Sequence, residues 1–251
     1  MRAHEIPGYV QGHRFSDESE VFYDADNLKF KDLSGYGDFL DLEITVGTPA
    51  FEDTGANNRR GMLLDKQAQG RFIPAAPWET TTVFAIYVEL LTSGTQIRYP
   101  YLFGTQPTES SNGFIRAQHF SSNRAVIVST PSEQSKAGIS QGTDGIIIAA
   151  VSFDQSTRKT YDTVDGVTIN ESAALADGGN GGGLAIGAGG AGTFDDIFCR
   201  FGDLVGDGST TAETDLKIVA LEHHFFAGNV ISSHQDEVAA LLSEMASYYG
   251  A

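Results

Sequence analysis

The sequence predicts an all-β sandwich or barrel closed by a single helix near its C-terminal end. Three observations predict this class: apolar and polar residues alternate in many short segments, glycine-containing pairs separate these segments, and one late stretch repeats apolar residues every three or four positions. A chain of 251 residues can bury one large core, and sandwiches of this size are often single domains.

The alternation is clearest in residues 82–90, where the even-numbered positions from 84 onward are apolar and fall on one face. Tyr87 and Glu89 fall on the opposite face. Pairs such as Asp144-Gly145 are typical of the turns between strands. The other predicted strands are residues 40–46, 62–65, 96–103, 113–120, 124–129, 145–153, 158–163, 184–186, 194–201 and 216–226.

The helix is predicted from residue 233 to the C-terminal end of the chain. Ser233 is its expected N-cap, with Asp236 three positions later in a capping-box arrangement. Gly250 stands where a C-capping glycine belongs. The apolar residues that should form one stripe against the sandwich are Val238, Leu241, Leu242, Met245 and Tyr249.

Two segments lack such a pattern. Residues 1–24 show no clear period and are predicted to form an irregular N-terminal arm before a domain of residues 25–251. Residues 178–192 contain nine glycines and are predicted to be a flexible or tightly turning loop. The first residues also lack the apolar stretch of a secretory signal. We therefore expect an extracellular or virion-surface location reached without a conventional signal peptide.

The order of pieces in the second half resembles a known family. The pieces are residues 144–150, 159–161, 165–167, 184–187 and 245–250. This order is similar to the concanavalin A-like lectin/glucanase sandwich, and within it to the laminin G-like branch. The resemblance implies a jelly roll of two antiparallel sheets, one of them concave, with the helix at the end. Such domains mostly bind sugars or proteins, a minority cleave polysaccharides, and many occur in bacteria and on phage particles.

Charge and cysteine content exclude several classes of function. Sixteen Lys and Arg against 33 Asp and Glu give a net charge of −17, which repels nucleic acid and anionic lipid. The longest apolar runs, such as residues 146–151, are far too short to span a bilayer. Cys199 is the only cysteine, so an intrachain disulfide and a cysteine metal site are excluded, and we expect a buried thiol.

Common catalytic and cofactor motifs are absent or out of context. Residues 187–192 match G-x-G-x-x-G, but a strand is expected after them rather than the helix that a dinucleotide site requires. Glu213 and Asp215 begin a glucanase-like pattern in which Ile218 replaces the last carboxylate. No cofactor or metal is therefore predicted, and Ca²⁺ remains an open alternative at the acidic residues Asp195, Asp196, Asp203 and Asp207.

The candidate carbohydrate-binding residues lie on the predicted strands and their rims. On strand 216–226, alternation places Val219, Leu221 and His223 on one face, and Glu222 and His224 on the other. The full set of candidates is Tyr87, Glu89, Arg116, Glu222, His224 and Trp78, with Trp78 as a platform on which a sugar stacks. The alternative is a solvated polar face with His223 in the core and Trp78 in a packing role.

Three functions remain open from the sequence. The first is a non-enzymatic, lectin-like surface or accessory protein of a phage-like particle that binds host-surface glycan, with neighbouring virion subunits or a second copy of the chain as further partners. The second is a polysaccharide-active, lyase-like enzyme that uses Glu222, His224 and Tyr87. The third is a purely structural virion subunit. The sequence does not decide enzymatic activity, but it favours binding.

Overall fold

The computed structural model describes residues 2–17, 21–34, 42–46, 48–54, 57, 59–63, 69–71, 80–90, 101–106, 116–120, 125–129, 134–140, 145–154, 157, 159–173, 198–199 and 216–251. Several strands in these ranges are described by their backbone alone.

The strands are β1 Tyr9–Arg14, β2 Tyr23–Asp24, β3 Lys29–Phe30, β4 Leu42–Val46, β5 Phe51–Asp53, β6 Arg60–Leu63, β7 Gln69–Arg71, β8 Thr80–Leu90, β9 Tyr101–Gln106, β10 Arg116–Phe120, β11 Ala125–Ser129, β12 Gln134–Ser140, β13 Gly145–Asp154, β14 Lys159–Thr163, β15 Asn170–Glu171, β16 Phe198–Cys199 and β17 Leu216–Ala227. The helices are a 3-10 turn at Ala3–Glu5, α1 Val230–Ser233 and α2 Gln235–Tyr249.

The largest sheet has eight antiparallel strands. Its order is β15-β14-β13-β8-β17-β6-β5, and β1 pairs with β17 beside β6. Long apolar runs in β8 and β13 pair along nine positions, which buries both faces of these central strands. β17 lies at the centre of the sheet, because β8 covers one of its edges while β6 and β1 share the other.

The remaining described strands form two smaller antiparallel groups. Their orders are β12-β11-β10-β9-β16 and β2-β3-β4-β7, and the groups contact each other through β16 and β7. Phe30 of β3 packs edge-on against Phe15, with ring centroids 5.1 Å apart, and Phe15 packs against His223 of β17 at 5.0 Å. A smaller sheet therefore covers one face of the large sheet, and the predicted all-β sandwich is confirmed.

Helix α2 covers the other face of the large sheet. The predicted apolar stripe from Val238 to Tyr249 is buried against core residues such as Val83, Ile148 and Val219, as expected. Gly250 ends the helix in the left-handed region, with φ of 75°, which confirms the predicted C-cap. Among the described helices, none is long and apolar enough to cross a membrane.

The predicted start of this helix is wrong. Ser233 is the last residue of the short helix α1, and its hydroxyl donates to the carbonyl of Asn229. His234 is the N-cap of α2 and provides no capping side chain, while Asn229 caps α1 by accepting from the backbone of Ser232. A second helical turn therefore precedes the predicted helix and takes up the serine.

The irregular arm predicted for residues 1–24 is also corrected. Tyr9–Arg14 is strand β1 and pairs antiparallel with β17, so this segment belongs to the sheet. Ile6 and Phe15, on either side of β1, are almost fully buried. The sequence of β1 shows no alternation of apolar and polar residues, because the strand contains Gly12 and polar residues that the sheet buries. The boundary after residue 24 stays a prediction, and residues 178–192 lie outside the described residues.

Candidate functional site

A pocket of about 450 Å³ lies where the N-terminal segment, β1, residues 21–34 and the second half of α2 meet beside β17. Its buried polar side chains are Glu222, His224 and Asp32, which are at most 8% exposed. Arg14, Phe22 and the α2 residue Tyr248 also line it, together with Tyr9, Arg2 and Glu244. The pocket therefore combines charged groups with aromatic walls.

A β-bulge in β17 places Glu222 in this pocket. Ala220 pairs with Ile86 and Glu222 pairs with Ala85, so Leu221 is an extra residue between two consecutive partners on β8. As a result Leu221 belongs to the core under α2, and Glu222 faces the same helix. The predicted face assignment, with Leu221 and Glu222 on opposite sides, is wrong because alternation resets at the bulge.

Three donors surround the Glu222 carboxylate. Arg14 Nε donates to Oε2 at 2.8 Å, the Tyr249 hydroxyl donates to Oε2 at 2.7 Å, and His224 Nε2 lies 2.7 Å from Oε1. Burial by itself raises the pKa of Glu222, but the hydrogen bonds and charges of His224 and Arg14 outweigh it and lower that pKa to about 2. Glu222 is thus a fixed anion, so it accepts and His224 Nε2 donates.

His224 is held against the backbone of β1. A Cβ on Gly12 would lie 2.3 Å from His224 Nδ1 and 2.8 Å from the Tyr9 hydroxyl, so only glycine fits there. His224 Nδ1 is buried and has no hydrogen-bond partner among the described residues. The ring is therefore fixed by Glu222 on one side and by the strand on the other, and its second nitrogen is closed to solvent.

Asp32 is a second buried carboxylate in the pocket, and it accepts hydrogen bonds from several groups of the protein. Its Oδ1 accepts from the Gly12 backbone at 2.8 Å and from the Tyr9 hydroxyl at 3.1 Å. Its Oδ2 accepts from the backbone of Ser34 at 3.0 Å and from the hydroxyl of the same residue. Burial, followed by the charge of Asp32, raises the pKa of Tyr9 well above its ordinary value. Tyr9 therefore remains a protonated donor.

The guanidinium of Arg14 is stacked against two aromatic rings. Its Cζ lies 4.2 Å from the ring centroid of Tyr248 and 5.1 Å from that of Phe22. Arg59 packs against the same Tyr248 ring, with its Cζ 3.7 Å from the centroid. Burial alone lowers the pKa of Arg14, but the adjacent Glu222 raises it, so Arg14 stays charged. Sequence-distant arginines are thereby gathered around one tyrosine.

Of the predicted site residues, Glu222 and His224 line this pocket. Tyr87 lies opposite Val219 and packs half-buried against the core beneath α2. Glu89 lies farther along β8, opposite Lys217. The structure therefore places Tyr87 on the helix-covered face and brings neither Tyr87 nor Glu89 into the pocket lining.

The other two predicted site residues are Arg116, which lies in another sheet, and Trp78, which the structure does not describe. Arg116 begins β10 in the five-stranded group, opposite Gly104, and so belongs to another sheet. Trp78 lies outside the described residues, as do the acidic residues considered for Ca²⁺. His223 is a buried core histidine, as the alternative interpretation of the sequence predicts. Its Nε2 lies 3.0 Å from His13 Nδ1.

Sequence reasoning missed Tyr9, Arg14, Phe22, Asp32 and Tyr248 as site residues. The basic pair His13-Arg14 within an otherwise acidic N-terminal segment was the available signal. Within the described part of the chain, no three His, Cys, Asp or Glu side chains gather in a way that could hold a metal ion.

Comparisons with known proteins identify the fold. No protein-family model matches this chain. No curated protein matches it. Among solved structures, a mutant of Trypanosoma rangeli sialidase that displays trans-sialidase activity is similar over 94% of this chain and 32% of its own, with 13% identity and a TM-score of 0.56. The binding domain of botulinum neurotoxin serotype D is similar over 95% of this chain and 51% of its own, with 10% identity and a TM-score of 0.56.

Botulinum neurotoxin type C is similar over 94% of this chain and 51% of its own, with 9% identity and a TM-score of 0.55. This chain thus spans about a third of the sialidase and about half of each toxin chain. At these identities the likeness shows a shared β-sandwich fold alone.

Proposed function

We propose that this chain is a carbohydrate-binding, lectin-like protein whose ligand enters the pocket between β1, β17 and α2. The observation that carries the proposal is the Arg14 guanidinium, which is held by Glu222, packs against Phe22 and Tyr248, and lines the pocket. Aromatic faces pack against sugar rings, while a fixed polar group selects among their substituents.

The state of the titratable groups favours binding over catalysis. A general acid needs a pKa near the working pH, whereas the pKa of Glu222 is about 2 and its carboxylate is 4% exposed. His224 has one nitrogen bound to Glu222 and the other buried. The Glu222 carboxylate is thus not poised to exchange a proton with a substrate, and His224 is engaged in holding it.

The structural neighbours add support to a glycan ligand. Trypanosoma rangeli sialidase has been solved in complex with sialic acid, and cell entry of botulinum neurotoxin type C depends on interaction with two ganglioside molecules. Proteins that share this sandwich fold thus include some that bind carbohydrate. We propose the pocket as the binding site in this chain.

We further propose that the glycan is on a bacterial host surface and that the chain works outside the cell, as a surface or accessory protein of a phage-like particle. The resemblance to a branch with members on phage particles supports this setting. A net charge of −17 also favours solubility on an exposed particle. The test is binding of the labelled chain to intact bacteria, which periodate oxidation of their surface glycans should abolish.

The direct test is a glycan array probed with the purified chain, with the same sugars incubated separately and analysed for cleavage products. We expect binding without products. Tyr248→Ala and Phe22→Ala should weaken binding, because each removes a ring that lines the pocket and packs against Arg14. Val167→Ala is the control, since Val167 is 73% exposed and does not line the pocket.

Two results would overturn the proposal. Cleavage products would favour the polysaccharide-active, lyase-like alternative, for which Glu222 and His224, the two of its expected residues that line the pocket, would be mutated first. No binding to any glycan would favour the structural-subunit alternative.

A further inference from the structure

We propose that the pocket selects a sugar that carries a carboxylate, such as a uronic acid, and that Arg14 is the residue that recognises it. This inference rests on the proposed carbohydrate-binding function and narrows it to one ligand class. It follows from which hydrogen-bonding groups of the pocket are already used inside the protein and which are left for a ligand.

The two buried carboxylates are poor partners for sugar hydroxyls. Glu222 accepts from Arg14, His224 and Tyr249, and is 4% exposed. Asp32 accepts from two donors on each of its oxygens and is 8% exposed. Each carboxylate has room for about four hydrogen bonds, so little capacity remains. A neutral sugar that relied on acidic acceptors would find them occupied.

Arg14 offers the opposite chemistry. Among the described residues its one hydrogen bond runs from Nε to Glu222, so the donors on Nη1 and Nη2 are left for a ligand. The side chain is 23% exposed and lines the pocket, so a ligand in the pocket can contact it. A guanidinium edge with two parallel donors matches a carboxylate, and a carboxylate forms stronger hydrogen bonds with it than a hydroxyl does.

The surroundings hold Arg14 in place before a ligand arrives. Glu222 fixes its Nε, while Phe22 and Tyr248 fix its plane by stacking. Arg59 lies against the same tyrosine ring and adds a second positive charge beside the pocket. A preorganised donor loses little side-chain entropy on binding, and this increases its selectivity. The pocket lining also contains the carboxylates of Asp32, Glu222 and Glu244, so the guanidinium groups themselves, and not a net positive charge, would bind a carboxylate.

The sharpest test uses the unmodified protein. Calorimetric titration with oligogalacturonate is compared with titration of the same oligosaccharide after methyl esterification, which keeps the sugar ring and removes the charge. We expect the free acid to bind at least about tenfold more tightly than the ester, the usual range for hydrogen bonds to a charged group. A panel that includes other acidic sugars is needed, because ring configuration also affects fit.

Variants then assign the effect to Arg14. Arg14→Lys keeps the charge that faces Glu222 but removes the two-donor edge, and it should remove most of the preference for acid over ester. Arg60→Lys is the matched control, because Arg60 pairs with Asp17 and Asp53 and does not line the pocket. Thermal unfolding of each variant separates loss of recognition from loss of folding.

The outcomes distinguish this inference from the proposed function. Equal binding of acid and ester, or binding confined to neutral glycans on the array, would overturn the carboxylate inference and leave the carbohydrate-binding function standing. An acid preference that survives Arg14→Lys in a folded variant would overturn the role of Arg14. Failure to bind any acidic or neutral glycan would overturn both proposals.

Discussion

The hydroxyl of Tyr249, near the end of α2, donates to Oε2 of Glu222 in the middle of β17 at a distance of 2.7 Å. Burial, followed by the negative charge of Glu222, raises the pKa of Tyr249 well above its ordinary value, so the phenol remains a donor. This hydrogen bond links the helix to the sheet and completes the set of donors around the Glu222 carboxylate.

Tyr249→Phe should destabilise the fold. The substitution keeps the ring in the core but removes a hydrogen bond to a buried charge, which is worth about 1–3 kcal/mol. Urea unfolding followed by circular dichroism measures the change in the free energy of unfolding. Tyr248→Phe is the control, because that ring stacks on arginines through its face and should change stability by less than about 0.5 kcal/mol. Equal effects of the two substitutions would contradict the prediction.

Acid should weaken the fold through Glu222. Its pKa is about 2 in the folded protein and about 4.5 when unfolded, so the unfolded chain takes up the proton first as the pH falls. The stabilisation is fully present above about pH 5 and is lost progressively between about pH 5 and pH 2, by roughly 3 kcal/mol. Urea unfolding at several pH values should show this step in the wild type and a flatter profile in Glu222→Gln.

The buried pair of His223 and His13 should add a second pH dependence at higher pH. Burial, followed by the charges of His13 and His224, lowers the pKa of His223 well below its ordinary value. The unfolded chain therefore binds a proton that the folded protein excludes, and stability falls as the pH drops below about 6.5.

In unfolding experiments between pH 7.5 and 5.5, His223→Gln should reduce this slope. A slope that is unchanged in His223→Gln would assign the pH dependence to other groups.

Gly12→Ala should disturb the pocket from the backbone side. The new methyl group would lie 2.3 Å from His224 Nδ1 and 2.8 Å from the Tyr9 hydroxyl, so both rings must move. We expect a loss of about 1–3 kcal/mol in stability, as for other overpacked sites, and weaker ligand binding. Gly228→Ala is the comparison, since it has a positive φ but open space around its Cβ. Its stability loss should leave ligand affinity unchanged.

The sequence predicted the parts of the fold that depend on local pattern. Strands β8 and β13 and the buried stripe of α2 follow from alternation and from the spacing of apolar residues. Strand β1 was missed because Gly12 and His13 break the apolar pattern, and what makes this segment a strand is its partner β17. The order of strands in a sheet is likewise set by tertiary pairing.

The sequence predicted only part of the candidate site, because the rest of the site depends on tertiary pairing. Glu222 and His224 stood out as polar residues in an apolar strand, but the bulge at Leu221, which decides the face they occupy, is a property of the register with β8. Arg14 was visible only as a basic residue in an acidic segment. Its role depends on a contact with Glu222 across 208 positions of sequence, which no local pattern encodes.

This separation has a consequence for synthesis. The ion pair of Arg14 and Glu222 joins strands that are 208 positions apart in the sequence, and Tyr249 of α2 completes it. While the ribosome is still adding the residues before β17, β1 has no strand to pair with and its buried polar groups remain in water. The pocket therefore assembles only after β17 and α2 have been synthesised, and until then the edge of β8 that β17 covers has no partner strand.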